Sequence, residues 1–182
     1  MATTVSRDVV AELRAAVRDI PDFPTPGILF KDVTPLLASA ELFRLALDAM
    51  AAPFRESGVT HVVAIEARGF IFGAPIAERL NAGVLPVRKP GKLPAATERI
   101  EYALEYGSGS LEIHRDACEP TPPPRVLVVD DVLATGGTAA ATCQLVERVG
   151  GIVVGVSCLI ELGFLHGRGA LAGRRVETVL AY

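Results

Sequence analysis

The sequence has no excess of positive charge: 18 Lys and Arg face 21 Asp and Glu, a net charge of −3 over 182 residues. A general nucleic-acid binder needs a basic face that this balance does not supply, which leaves room only for a local basic pocket holding a small anion. Long hydrophobic runs are missing too. Val126–Val129 and Ile152–Ile160, the latter interrupted by Gly155 and Ser157, fall far short of the roughly 20 apolar residues that span a bilayer. Cysteine is scarce, with Cys118, Cys143 and Cys158 far apart and no Cys-x-x-Cys pair, which suits small buried hydrophobes in a reducing compartment. His61, His114 and His166 show no metal-ligand spacing. The first twenty residues are broken by Arg7, Asp8, Glu12, Arg14, Arg18 and Asp19, so no secretory signal is expected there. No Gly-x-x-x-x-Gly-Lys-Ser/Thr occurs, which excludes the P-loop of nucleoside triphosphatases. The expectation is a cytoplasmic protein that binds neither membrane nor nucleic acid.

A chain of this length buries about 70% of its unfolded surface without a disulfide or metal staple. Val10, Leu13, Val17 and Ile20 recur at helical spacing and predict a helix over 6–18 with Ser6 as its N-cap. Three prolines in Pro21–Pro26 end it, and the apolar Phe23, Ile28, Leu29 and Phe30 predict an irregular segment folded back onto the domain. Phe43, Leu47, Met50 and Phe54 form a second helical stripe, weakened at Pro53. Short β-branched runs at 61–65, 84–87, 125–129, 152–160 and 176–180 alternate with helical patterns at 69–80 and 137–149. That rhythm predicts an α/β fold on a mainly parallel β-sheet flanked by helices. The polar stretch 88–119 breaks the rhythm and reads as a functional arm or flap, with Gly107 and Gly109 supplying mobility.

The sharpest chemical signal is Arg125-Val-Leu-Val-Val-Asp-Asp-Val-Leu-Ala-Thr-Gly-Gly-Thr138. An apolar strand delivers Asp130 and Asp131 to its C-terminal end, where open α/β sheets bind ligands. Ala134, Thr135, Gly136, Gly137 and Thr138 then form a loop of small residues opening a helix. Glycines allow close backbone approach, hydroxyls offer hydrogen bonds, and the helix N-terminus favours an anion, so the loop is suited to a phosphate. Carboxylates accept hydrogen bonds from sugar hydroxyls or help place Mg²⁺ through water. A ribose phosphate satisfies both halves.

Residues 126–138 resemble the phosphoribosyl-pyrophosphate (PRPP) motif of type I phosphoribosyltransferases. Three further stretches narrow the resemblance to the adenine phosphoribosyltransferase family. They are Phe23-Pro-Thr-Pro-Gly-Ile-Leu-Phe-Lys-Asp32, Glu66-Ala-Arg-Gly-Phe-Ile-Phe-Gly73, and Arg88-Lys-Pro-Gly-Lys-Leu-Pro94 with Leu104-Glu-Tyr-Gly107 and Leu111-Glu-Ile-His114. The resemblance implies one phosphoribosyltransferase domain over 1–182, with an N-terminal hood at about 1–35 and a flexible, β-rich flap at about 95–118. It implies transfer of the phosphoribosyl group from PRPP to N9 of adenine, giving AMP and pyrophosphate, through an oxocarbenium-like transition state. Mg²⁺ would be held mainly by PRPP and water, with no direct protein ligand, and the protein would be a homodimer. Asp130 and Asp131 would contact the ribose and Ala134–Thr138 the 5′-phosphate. Arg68, Arg88, Lys89 and Lys92 would hold pyrophosphate, and Leu29, Phe30 and Lys31 would meet adenine, the first and last through backbone groups. Glu105 would act at N7, by protonation or by a hydrogen bond, beside its flap partner Tyr106.

By itself, Arg68 reads more readily as a surface or salt-bridge residue; the Lys-Pro-Gly-Lys run has a minority reading as a solvated turn, and Glu105 reads equally as an exposed hairpin glutamate. Phe70 is expected in the core rather than against a base. Gly167-Arg-Gly-Ala-Leu-Ala172 imitates a dinucleotide fingerprint, but too little chain follows for the required unit. Two other readings stand beside the transferase: a type I enzyme for another base, and a PRPP-sensing regulator on the same fold. The hood and flap motifs argue against the first. The charge balance and the absence of room for a helix-turn-helix unit in the first twenty residues argue against the second.

Overall fold

A computed structural model describes residues 7–103, 108–119 and 121–182. Helix α1 (Arg7–Ala15) seats Leu13 in the core and stops earlier than the apolar stripe suggests. Ile20 lies instead in β1 (Arg18–Pro21), which pairs antiparallel with β2 (Leu29–Asp32). This corrects both the helix to 18 and the irregular hood. Directly opposed charges favour pairing: Arg18 faces Asp32 and Asp19 faces Lys31, each ion pair closing at 2.6 Å. Periodicity cannot report partners a dozen residues away. The expected Ser6 cap lies outside the described residues.

Helix α2 (Thr34–Ala38) and α3 (Ala40–Ala51) follow, with the Ser39 hydroxyl accepting the Leu42 N–H at the start of α3. A 3₁₀ turn containing Pro53 ends that helix, as its sequence predicts. The chain then alternates through β3 (His61–Ile65), α4 (Gly69–Arg79) and β4 (Gly83–Val87). The antiparallel arm β5 (Thr97–Ala103) and β6 (Ser108–His114) comes next. It is followed by β7 (Arg125–Leu133), α5 (Gly137–Arg148), β8 (Ile152–Glu161) and β9 (Val176–Ala181).

The five-stranded sheet has the order β4-β3-β7-β8-β9 and every neighbouring pair is parallel. Side chains alternate between its faces. Val62, Leu127 and Val129 pack with α1, α3 and α4, while Val63, Val126 and Val128 pack with α5 and the β5–β6 arm. β7 runs four residues beyond the expected end at Val129, so Asp130 and Asp131 sit in the strand rather than past it. The sheet grows outward from β3 in both directions, so its topological switch point lies between β3 and β7. The loops following those two strands build the site. Among the described residues, no helix is long and apolar enough to cross a membrane.

Candidate active site

Behind β7 the site is made largely by backbone. Asp130 Oδ1 accepts the N–H of Asp131 at 2.9 Å, and Asp131, itself buried, accepts a hydrogen bond from Arg68 Nε. Glycine at 69 allows this crowding, because a Cβ there would stand 3.0 Å from Asp130 Oδ1 and 3.1 Å from the Val129 carbonyl. Asp130 keeps some surface at the pocket wall, yet the density around it pushes its carboxyl well above the ordinary range. Burial is the main cause, followed by the charge of Asp131 and the hydrogen bond between the two.

The loop then reaches Gly136, at φ +81, in the N-cap position of α5. A side chain there would collide with the Gly167 carbonyl, so glycine is needed for conformation and for space. No side chain caps this helix, which leaves its first N–H groups directed at a cavity of about 60 Å³ lined by Thr135, Gly136 and Thr138. Gly137 begins the helix itself. The rejected dinucleotide look-alike thus has a structural place: Gly167 opens a 3₁₀ turn that packs against Ala134 and Gly136.

Behind β3 the site is made by ion pairs. The Glu66–Ala67 peptide is cis, and Arg68 stands at the N-cap of α4. Glu66 Oε2 accepts Arg88 Nε at 3.2 Å and the Lys89 N–H at 3.1 Å. Burial works against the charge on Glu66, but these two donors and the charges of Arg88 and Lys89 outweigh it and lower its pKa. Arg88 also donates to the Lys92 carbonyl at 3.1 Å, and Glu112 Oε2 on β6 accepts the Gly91 N–H at 3.1 Å. Two carboxylates therefore clamp residues 88–92.

Between the loops lies a pocket of about 530 Å³. Of the residues singled out in the sequence, it brings together Leu29, Phe30, Lys31, Arg68, Lys89, Asp130, Asp131, Ala134 and Thr138. Arg88 and Lys92 are not on its wall: Arg88 turns onto Glu66 and Lys92 is exposed. Glu105 and Tyr106 lie outside the described residues. Lys31 is held by Asp19 at 2.6 Å and lies 4.2 Å from the Tyr182 ring centre, so its ammonium is already engaged. Phe70 belongs to neither buried cluster, a correction to its expected core place. It is half-buried, with the Arg88 guanidinium 5.9 Å above its ring.

Sequence reasoning missed several wall residues. Val132 and Leu162 line the pocket together with Ile28, Leu29 and Phe30, an apolar set suited to a flat, hydrophobic ring. Their only signal was position, one residue beyond an aspartate pair and one beyond a strand end. Tyr102 and Leu111 close the side formed by the β5–β6 arm. The pocket is thus apolar at the hood and carries cations, carboxylates and Thr138 of α5, shared with the smaller cavity, elsewhere. Among the described residues, no group of three or more His, Cys, Asp or Glu could hold a metal ion.

Known proteins share the sequence and the fold. A phosphoribosyl transferase domain model matches residues 36–170. The adenine phosphoribosyltransferase of Myxococcus xanthus is 57% identical over 174 residues, covering 96% of this chain and 94% of its own. A crystal structure of the Rhodothermus marinus adenine phosphoribosyltransferase is 53% identical with a TM-score of 0.91, covering 97% of this chain and 100% of that one. The Saccharomyces cerevisiae enzyme, solved with adenine and an imino-altritol bisphosphate, is 37% identical with a TM-score of 0.88, covering 96% and 100%. With domain model, full-length identity and fold in agreement, this chain, a transferase, belongs to the adenine phosphoribosyltransferase family.

Proposed function

We propose that the chain transfers the 5-phosphoribosyl group of PRPP to N9 of adenine, releasing AMP and pyrophosphate, as a step of purine salvage. One observation carries the reading: a single pocket joins an apolar hood slot to Arg68 and Lys89, to Asp130 and Asp131, and to the N-terminus of α5. These groups match a flat base, a pyrophosphate, ribose hydroxyls and a terminal phosphate in that order. The relatives' shared name and the adenine held by the yeast enzyme agree with it.

In this reading the loop from Ala134 to Thr138 anchors the 5′-phosphate, and Asp130 and Asp131 accept the ribose hydroxyls. Breaking the bond to pyrophosphate builds positive charge on the sugar and negative charge on the leaving group. The carboxylates face the first. Arg68 and Lys89 face the second, with Arg88 and Lys92 as reserve cations beside them. Mg²⁺ would be held mainly by PRPP oxygens and water, with Asp130 and Asp131 helping to place it through water rather than as direct ligands. The ion would neutralise leaving-group charge. Backbone groups of Leu29 and Lys31 read the adenine edge beside Phe30, leaving the Lys31 side chain in its pair with Asp19. Glu105 serves N7, with Tyr106 beside it, on the strength of the family resemblance. The same resemblance supports one functional domain, a homodimer and a cytoplasmic location.

The test is turnover with PRPP and Mg²⁺, offering adenine, guanine, hypoxanthine and orotate separately. Nucleotide formation from adenine alone is expected. Turnover of another base would keep the PRPP half and overturn the base slot. PRPP binding without any turnover would favour a sensor.

A further inference from the structure

Tyr102 lies on β5, on the arm rather than on the sheet, yet it lines the main pocket together with Thr138. Its hydroxyl and the Thr138 hydroxyl are 3.3 Å apart. A hydroxyl has one donor and two acceptor sites, so one bond between the two leaves each with hydrogen-bonding capacity for a third group. Thr138 occupies the first turn of α5, whose uncapped N–H groups form the anion cradle. Thr138 lines both the small cavity there and the main pocket, and Tyr102 lines the main pocket, so the two hydroxyls stand where the cavities meet.

The position of the ring depends on its cross-strand partner, Gly109. A Cβ at 109 would come within 2.6 Å of Tyr102 Cζ and 2.8 Å of its hydroxyl oxygen. Glycine at 109 is therefore required for the ring to lie across β6, a role distinct from the mobility its sequence suggests. The arm is shaped to deliver this hydroxyl.

Resting on the transferase reading, we infer that Tyr102 is a further 5′-phosphate recognition residue, through which the β5–β6 arm senses whether the cradle of α5 is filled. Its hydroxyl adds a hydrogen bond to the phosphate from the main-pocket side, sharing the anion with Thr138. The consequence is a phosphate-specific preference built into the arm, separate from anything the arm does to the base.

The experiment compares binding of AMP and adenosine to the full chain, unaltered and as Tyr102→Phe and Gly109→Ala. Tyr102→Phe keeps the ring and loses the hydroxyl; Gly109→Ala keeps the hydroxyl and moves it. Both are expected to weaken AMP binding roughly tenfold, the scale of one hydrogen bond to a charged group, and to leave adenosine binding unchanged. In steady state the KM for PRPP should rise while that for adenine stays. Thermal midpoints guard against a misfolded variant, and a folded Tyr102→Phe decides the case if Gly109→Ala is unstable. Equal losses for AMP and adenosine, or no loss for AMP, would overturn the inference while the transferase reading stood. Unaltered protein with no preference for AMP over adenosine, and no turnover of adenine, would remove both.

Discussion

Two loops face each other across the pocket and prepare it for anions by opposite means. The loop behind β7 uses backbone: a left-handed glycine, an uncapped helix and hydroxyls within a few residues. The loop behind β3 uses side chains drawn from three elements, with Glu66 and Glu112 holding a basic segment and Arg68 reaching across to Asp131. The first is local and needs little outside itself except the Gly167 turn. The second exists only when β3, β4, β6 and β7 are assembled.

Breaking the backbone loop should have the largest effect. In Gly136→Ala, the positive φ alone costs about 1–2 kcal/mol and the collision with the Gly167 carbonyl adds to it, so turnover should fall ~100-fold or more with a lower thermal midpoint. Substituting the carboxylates separates their roles. Asp131→Asn removes the charged partner of Arg68, and kcat/KM for PRPP should drop about 50-fold, the scale of a lost charge-assisted hydrogen bond. Asp130→Asn should also impair turnover, yet raise the thermal midpoint. Its carboxyl has a raised pKa in the folded state, so stability falls as pH climbs from the unfolded value through the folded one. The stabilising effect of Asp130→Asn should accordingly grow with pH over that window and vanish in acid. Thermal melts of both proteins across pH check the sign.

The ion-pair loop should yield more gently. Glu66→Gln loosens Arg88 and the Lys89 backbone without removing a cation, so the KM for PRPP should rise roughly fivefold while the fold persists. An abrupt loss of folding would show that the clamp supports the sheet edge rather than the site. The smallest effect belongs to the hood. Hydrogen bonds from Thr34 and Arg18 lower Asp32 from 3.8 to about 2. Being depressed, it stabilises the folded chain fully above the unfolded value and loses that contribution as pH falls through about 2. The melting difference between the unaltered chain and Asp32→Asn should hold constant above about pH 5 and close in stronger acid. A difference that persists there would assign the stabilisation to packing of the hairpin.

The same contrast separates what could be read early from what could not. The strand, aspartates and glycine loop from Arg125 to Thr138 were legible because each property they need is carried by neighbours in the chain. Arg88 stands one residue from Lys89 and bears the same charge, yet Glu66 turns it away while Lys89 reaches the pocket. Gly109 reads as a hinge until Tyr102 is found across from it. Leu162 joins the apolar wall only because β8 ends beside β7.

What the sequence by itself determined was the α/β alternation, the parallel sheet and the phosphate loop, since propensity, apolar periodicity and glycine geometry all act over a few residues. The tertiary structure alone decided that the hood is a β-hairpin, that Arg68 pairs with Asp131, that Tyr102 leans on Thr138, and which cations face the pocket. Each of those contacts joins residues eight or more apart. Their energies depend on distances and burial that come into being only when the chain has closed on itself.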